Sequence, residues 1–200
     1  KYTISYPLEP DSNTAKAALL QTVSLDELPL LTKELDNAPE GAKVVLIEVI
    51  AARGDPESFD ILYDQISQTG AVRSAAIKNL YLVSDQGNLG DLMKLFDQLE
   101  DPDEIAAIET ALVSAINRGP HKEVSTQALL LHAARNFSVE KYIGVLATVG
   151  GKEALEAVYE SYGSGNEETR SRAFTGLTKS DDIHAASPLF EICSQSKLEE

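Results

Sequence analysis

The sequence has no tryptophan, a single cysteine, a single methionine and three histidines, and only seventeen basic residues stand against thirty-two acidic ones. Each scarcity removes a class of protein. One cysteine, Cys193, excludes an internal disulfide and a multi-cysteine zinc site. It does not fix a compartment, and both a cytoplasmic and an extracytoplasmic bacterial setting stay open. A net charge of −15 repels polyphosphate and anionic headgroups, so nucleic acid is not an expected partner. No apolar run approaches the roughly 18 residues that a spanning helix needs, so membrane insertion is not expected. Aromatic residues make up 6% of the chain and apolar residues 43%, which leaves Leu, Ile, Val and Ala to build a core of thin helical layers.

What the chain does have is repetition. Leu62-Tyr63-Asp64-Gln65-Ile66, Leu95-Phe96-Asp97-Gln98-Leu99, Val158-Tyr159-Glu160-Ser161-Tyr162 and Leu189-Phe190-Glu191-Ile192-Cys193 place an aromatic residue beside an acid between apolar flanks. The aromatic positions are separated by 33, 63 and 31 residues, the middle gap being two periods. A period of this length marks stacked helical pairs, each with too little apolar surface to fold alone and each stable against its neighbours. About five and a half such units fit in the chain.

Two alternating helix types follow from the apolar spacing of three and four residues, as in Leu28, Leu31, Leu35 and Leu92, Leu95, Phe96, Leu99. The first type, A, is expected at about 25–36, 56–68, 88–99, 121–134, 152–163 and 182–195; the second, B, at about 14–23, 41–52, 70–83, 102–117, 138–149 and 166–178. Residues 1–12, with Pro7 and Pro10, read as an extended lead-in, and 13–200 as the repeat domain. Capping chemistry marks the starts: Ser24 with Glu27 three residues on, and Asp55-Pro56 and Asp101-Pro102 with proline at the first helical position. The Leu129-Leu130-Leu131 run makes the fourth A helix apolar on more than one side, so it is expected to be unusually buried. The chain starts at Lys1 without Met, and its last helix lacks a following partner, so both ends read as cuts in something longer.

The search for catalytic chemistry returns helix caps and turns. His121, His132 and His184 read as isolated, His132 as a structural histidine on an apolar face. Gly150-Gly151-Lys152 lacks the earlier glycine and the following Ser/Thr of a phosphate loop and reads as a turn. Asp101, Asp103 and Glu104 lack the glycine and distal Glu of a calcium loop, and Asp55 in Arg53-Gly54-Asp55 is needed as a cap. Asn136-Phe137-Ser138 spells a glycosylation sequon. Cys193 occupies the position of Ile66 and Leu99 and reads as packing. No cofactor and no metal is expected.

The residues Ala71-Val72-Arg73-Ser74-Ala75-Ala76-Ile77-Lys78-Asn79-Leu80, echoed by Glu168-Thr169-Arg170-Ser171-Arg172-Ala173-Phe174-Thr175-Gly176-Leu177, resemble the second helices of HEAT-like repeat proteins. Leu28-Pro29-Leu30-Leu31 and Ser187-Pro188-Leu189-Phe190 resemble the kinked first helices of that family, and the likeness covers about 13–195. The resemblance implies an all-α, right-handed superhelix of about five to six antiparallel helix pairs, used as a scaffold with the B helices on the concave side. Glu104, where Arg73 and Arg170 sit in other units, departs from a continuous basic ladder.

Charge is divided between the helix types. The six A helices carry fifteen acids against four lysines, whereas the last five B helices carry seven acids against six bases, Lys43, Arg73, Lys78, Lys141, Arg170 and Arg172. The plain reading is a solvated surface with weak local ion pairs. The functional reading makes those six the anchors of a non-enzymatic, protein-binding scaffold. Its groove would hold an acidic or mixed-charge polypeptide, because guanidinium groups meet carboxylates bidentately. The expected partner is a protein or another domain of the same polypeptide, with the chain itself a monomer. The competing reading is a spacer or docking module within a larger, possibly secreted bacterial carbohydrate-processing protein. A lyase acting on a bound chromophore is a third, set aside at this level because the motifs converge on no His/Cys/acid cluster.

Overall fold

The computed structural model describes residues 9–136 and 139–196. They form helices α1 (Glu9–Thr22), α2 (Leu28–Asn37), α3 (Glu40–Ala52), α4 (Phe59–Asp64), α5 (Gly70–Val83), α6 (Leu89–Gln98), α7 (Pro102–Arg118), α8 (Lys122–Arg135), α9 (Ile143–Val149), α10 (Lys152–Ser164), α11 (Glu167–Lys179) and α12 (Ala186–Ser196). No strand occurs among the described residues, so the protein is all-α.

The starts follow the capping residues. The Glu27 carboxylate accepts from the Ser24 N–H at 2.9 Å and from its hydroxyl at 3.2 Å. Asp55 accepts from the Glu57 N–H, and Asp101 from the N–H groups of Asp103 and Glu104, satisfying donors that have no partner inside the helix. Leu25–Glu27, Pro56–Ser58, Gln86–Asn88 and Ile183–Ala185 each wind as one 3₁₀ turn before an A-type helix. The first helix begins at Glu9, so residues 9–12 are helical and not part of an extended lead-in; residues 1–8 lie outside the described part. Pro10 stands in the first turn, where its missing N–H breaks no intrahelical bond.

Packing follows chain order. The odd-numbered helices contact one another in series from α1 to α11, and α2, α4, α6 and α10 each lie against the odd helix that follows. One apolar cluster runs from Leu28 to Ile192 through every pair, built from side chains such as Phe59, Leu62, Ile77, Leu92, Phe96, Ile108, Leu146 and Leu155. A smaller one joins Val23, Val45 and Val49.

Polar side chains tie each layer to the previous one. The Arg53 guanidinium donates to the carbonyls of Leu19 and Leu20 near the end of α1, and Arg118 donates to the Leu82 carbonyl at 2.6 Å at the end of α5. Lys141 donates to the Leu99 carbonyl at 2.8 Å, just past α6. In each case a cation sits on the carbonyl end of a neighbouring helix, where unpaired acceptors and the helix dipole favour it.

The helix α8 departs from expectation. Leu129 is buried and Leu130 half-buried, but Leu131 and Val124 are exposed at 52% and 62%, so α8 is a surface helix with one covered face. Its buried side is built instead from small residues, Ser125, Thr126 and Ala133 beside Leu129.

Candidate functional site

The row of odd helices is uneven at α9. That helix has seven residues where α7 has seventeen and α11 thirteen, because Val139–Tyr142 winds as 3₁₀ before it and Gly150 stops it. Gly150 and Gly151 adopt φ of 72° and 90°, a region that side chains disfavour. The outward residues of α9 include Gly144, Ala147 and Thr148, all small. The short helix is therefore the floor of a trough of about 610 Å³, walled by α7 and α11. That size lies within the range of ligand sites.

Glycine permits the close approach of the walls. A Cβ on Gly144 would stand 2.8 Å from Glu109 Oε1, and one on Gly176 would stand 2.8 Å from the Ala147 Cβ. Glu109 from α7 and Arg172 from α11 face one another across the floor with 3.8 Å between charged atoms. Burial pushes the Glu109 carboxyl above its ordinary value, and Arg172 opposes that only partly. Thr148, Ser171 and Thr175 add hydroxyls, and Lys122, Lys179, Asp181 and Asp182 close the lining.

The Asp181-Asp182 end of the trough is held firmly. Asp182 Oδ1 accepts the His184 N–H at 2.9 Å, Oδ2 accepts the Gly151 N–H at 2.8 Å, and His184 Nδ1 lies 2.7 Å from Oδ1. Those two backbone donors, His184 first, hold the Asp182 carboxyl down at about 2. The glycine turn is thereby fixed to the next loop, and His184 is exposed but not isolated.

The six basic residues meet different surroundings. Arg73 makes a bidentate pair with Glu104, Nε to Oε1 at 2.7 Å and Nη2 to Oε2 at 2.9 Å, and gives Nη1 to the Ile66 carbonyl at 2.7 Å. Glu104 stands 31 residues later, one period on, so the departure from the basic ladder is an ion pair between adjacent layers. Lys141 is half-buried, bonded to the carbonyls of Asp97 and Leu99, with its ammonium 5.2 Å from the Phe96 ring centroid. Both are committed within the protein. Arg170 is exposed over the Tyr162 ring at 5.3 Å, Lys43 is half-buried on α3, and Lys78 is exposed on α5 beside Asp101, Asp103 and Glu104. Arg172 alone of the six lines the trough.

A second polar cluster contradicts the isolated reading of His132. Its Nε2 lies 2.8 Å from Asp97 Oδ2, which also accepts from Asn136 Nδ2 at 3.0 Å, while the buried Tyr142 hydroxyl donates to Asp97 Oδ1 at 2.8 Å. Burial, then the Asp97 hydrogen bond, raise the Tyr142 phenol well above its ordinary value. Both carboxylate oxygens accept hydrogen bonds, so Asp97 clasps α6, α8 and the 139–142 turn together. The signal was legible as a spacing: Asp97 and His132 are 35 residues apart, close to one period.

Among the described residues no group of three His, Cys, Asp or Glu side chains converges as a metal site, and no helix is long and apolar enough to cross a membrane. Searches of protein-family models, of curated proteins and of solved structures find no match to this chain.

Proposed function

We propose that the protein is a non-enzymatic binding scaffold, a right-handed α-solenoid like HEAT-repeat proteins, whose B-helix row receives an extended polypeptide of mixed charge in the trough over α9. The carrying observation is that trough, about 610 Å³, with Glu109 and Arg172 on opposite walls. A carboxylate on the partner would take Arg172 bidentately, and an amide or ammonium group would take Glu109, which its own protein pairs poorly. The hydroxyls of Thr148, Ser171 and Thr175 suit a peptide backbone, whose donors and acceptors alternate.

Two observations support the solenoid. Odd helices stack in series with α2, α4, α6 and α10 each against the odd helix that follows, and the interlayer partners of Arg53, Arg73 and Arg118 lie 31 to 36 residues away along the chain, about one period.

The test uses labelled extended peptides of mixed charge and fluorescence anisotropy. Thr175→Trp fills the trough from an exposed position, and Arg172→Glu reverses one wall; both are expected to abolish binding with an unchanged circular dichroism spectrum. Arg73 is left intact, because its replacement breaks an interlayer ion pair. Binding that survives both changes would remove the trough as the site.

A further inference from the structure

The last helix presents a face that its counterparts keep covered. Counted from the aromatic position of the repeated motif, Ala186, Phe190 and Cys193 of α12 correspond to Phe59, Tyr63 and Ile66 in the second unit. In the third unit they correspond to Leu92, Phe96 and Leu99, and in the fifth to Leu155, Tyr159 and Tyr162. None of those nine counterparts is exposed. Phe96 is 0% exposed and Phe190 74%; Ile183, about two turns earlier in the 3₁₀ turn that leads into α12, is 80% exposed, and Ala186 and Cys193 are exposed too. Spacings of three, four and three place Ile183, Ala186, Phe190 and Cys193 on one side of the helix. The expectation that Cys193 is packed like Ile66 and Leu99 therefore fails, although its register is right.

The covering elements are known for the counterparts. The helix α5 lies on α4, α7 on α6, and α11 on α10. Layers beyond contribute as well, since the Tyr142 ring meets Phe96 at 4.8 Å between centroids and the Tyr63 hydroxyl reaches the Asp91 carbonyl at 3.5 Å. Among the described residues α12 packs back on α10 and α11.

We infer that the Ile183–Phe190 stripe is a docking surface for an amphipathic α-helix with an apolar face and basic flanks, presented from outside residues 1–200. The face continues an interface that the chain builds repeatedly within itself, so the complementary object is a helix of the B type. Its flanks follow from charge: a net −15 repels a second copy and attracts a cationic helix. The helix α5 illustrates the chemistry, with Val72, Ala76, Ile77, Leu80 and Val83 buried and with Arg73 and Lys78 as its only charges.

The probe is a synthetic peptide of residues 70–83 added to the intact protein, and the readout is the rate at which Cys193, an exposed thiol, reacts with a disulfide reagent. At a peptide concentration near five times Kd the rate is expected to fall about sixfold. Phe190→Asp is expected to lose that protection while melting at the same temperature, because Phe190 is exposed in the protein. A peptide with Ile77→Ser and Leu80→Ser is expected to protect nothing. An unchanged rate with the unaltered peptide, or equal protection of Phe190→Asp, would overturn the inference. So would protection that grows with protein concentration alone and accompanies dimer sedimentation, since the occupant would then be a second copy.

Discussion

Tyr142→Phe removes one oxygen from the Asp97 clasp and leaves the rest of the side chain in place. The ring is fully buried and stays against Phe96, 4.8 Å away at an interplanar angle of 62°. What is lost is the hydroxyl that donates to Asp97 Oδ1 at 2.8 Å and lies 3.3 Å from the Met93 carbonyl. A hydrogen bond to a charged acceptor contributes about 1.5–3 kcal/mol. His132 and Asn136 still hold the other oxygen, so the carboxylate is not orphaned and the expected loss is about 2 kcal/mol. In a chain of this length that lowers the melting temperature by about 4–8 °C. Urea unfolding followed by circular dichroism measures it, with an unchanged slope showing that the same surface is exposed. Tyr63→Phe is the contrast: its hydroxyl bond is 3.5 Å long, at the limit of geometry, and its loss is expected to cost under about 0.5 kcal/mol. Equal, small effects of both substitutions would refute the view that Asp97 binds α6 to the 139–142 turn.

Other consequences are as direct. Arg73→Lys keeps the charge but loses the fork to Glu104 and the bond to the Ile66 carbonyl, and is expected to cost about 1 kcal/mol in the same unfolding assay. Gly150→Ala puts a Cβ at φ 72° and 2.7 Å from Asp182 Oδ2, so it is expected to destabilise by about 1–3 kcal/mol. Asp182, held down at about 2, contributes stability above its ordinary value of 3.8 that is lost as pH falls toward 2. Asp182→Asn should therefore flatten the stability curve over that window. Glu109 has the opposite sign: its raised pKa makes the charged form a cost in the folded state. Glu109→Gln should stabilise slightly at neutral pH, an advantage that fades as pH falls from the raised value and is gone below the ordinary carboxylate range.

The parts of the fold legible in sequence were those set by local chemistry. Asp55, Asp101 and Ser24 with Glu27 mark starts because capping involves residues two or three apart, and those contacts are all present. What failed depended on which layer lies beside which. Cys193 has the register of Ile66 and Leu99, yet register alone does not supply the covering helix. Leu131 belongs to an apolar run, but only one side of α8 meets a neighbour, so that run divides between core and surface. The basic B-helix residues divided likewise: Arg73 met Glu104 one period on, Lys141 met the carbonyls at the end of α6, and Arg172 reached the trough. The trough itself needed the shortness of α9, which follows from the 3₁₀ turn at 139–142 and the break at Gly150.

The proposed solenoid requires helix pairs stacked in one dimension, each touching its neighbours. Small-angle X-ray scattering measures that directly. Six layers at about 10 Å spacing give a rod near 60 Å long and a radius of gyration of about 20 Å, with a pair-distance curve that tails to long distances. A radius near 16 Å with a symmetric curve, the value for a compact domain of this length, would contradict it.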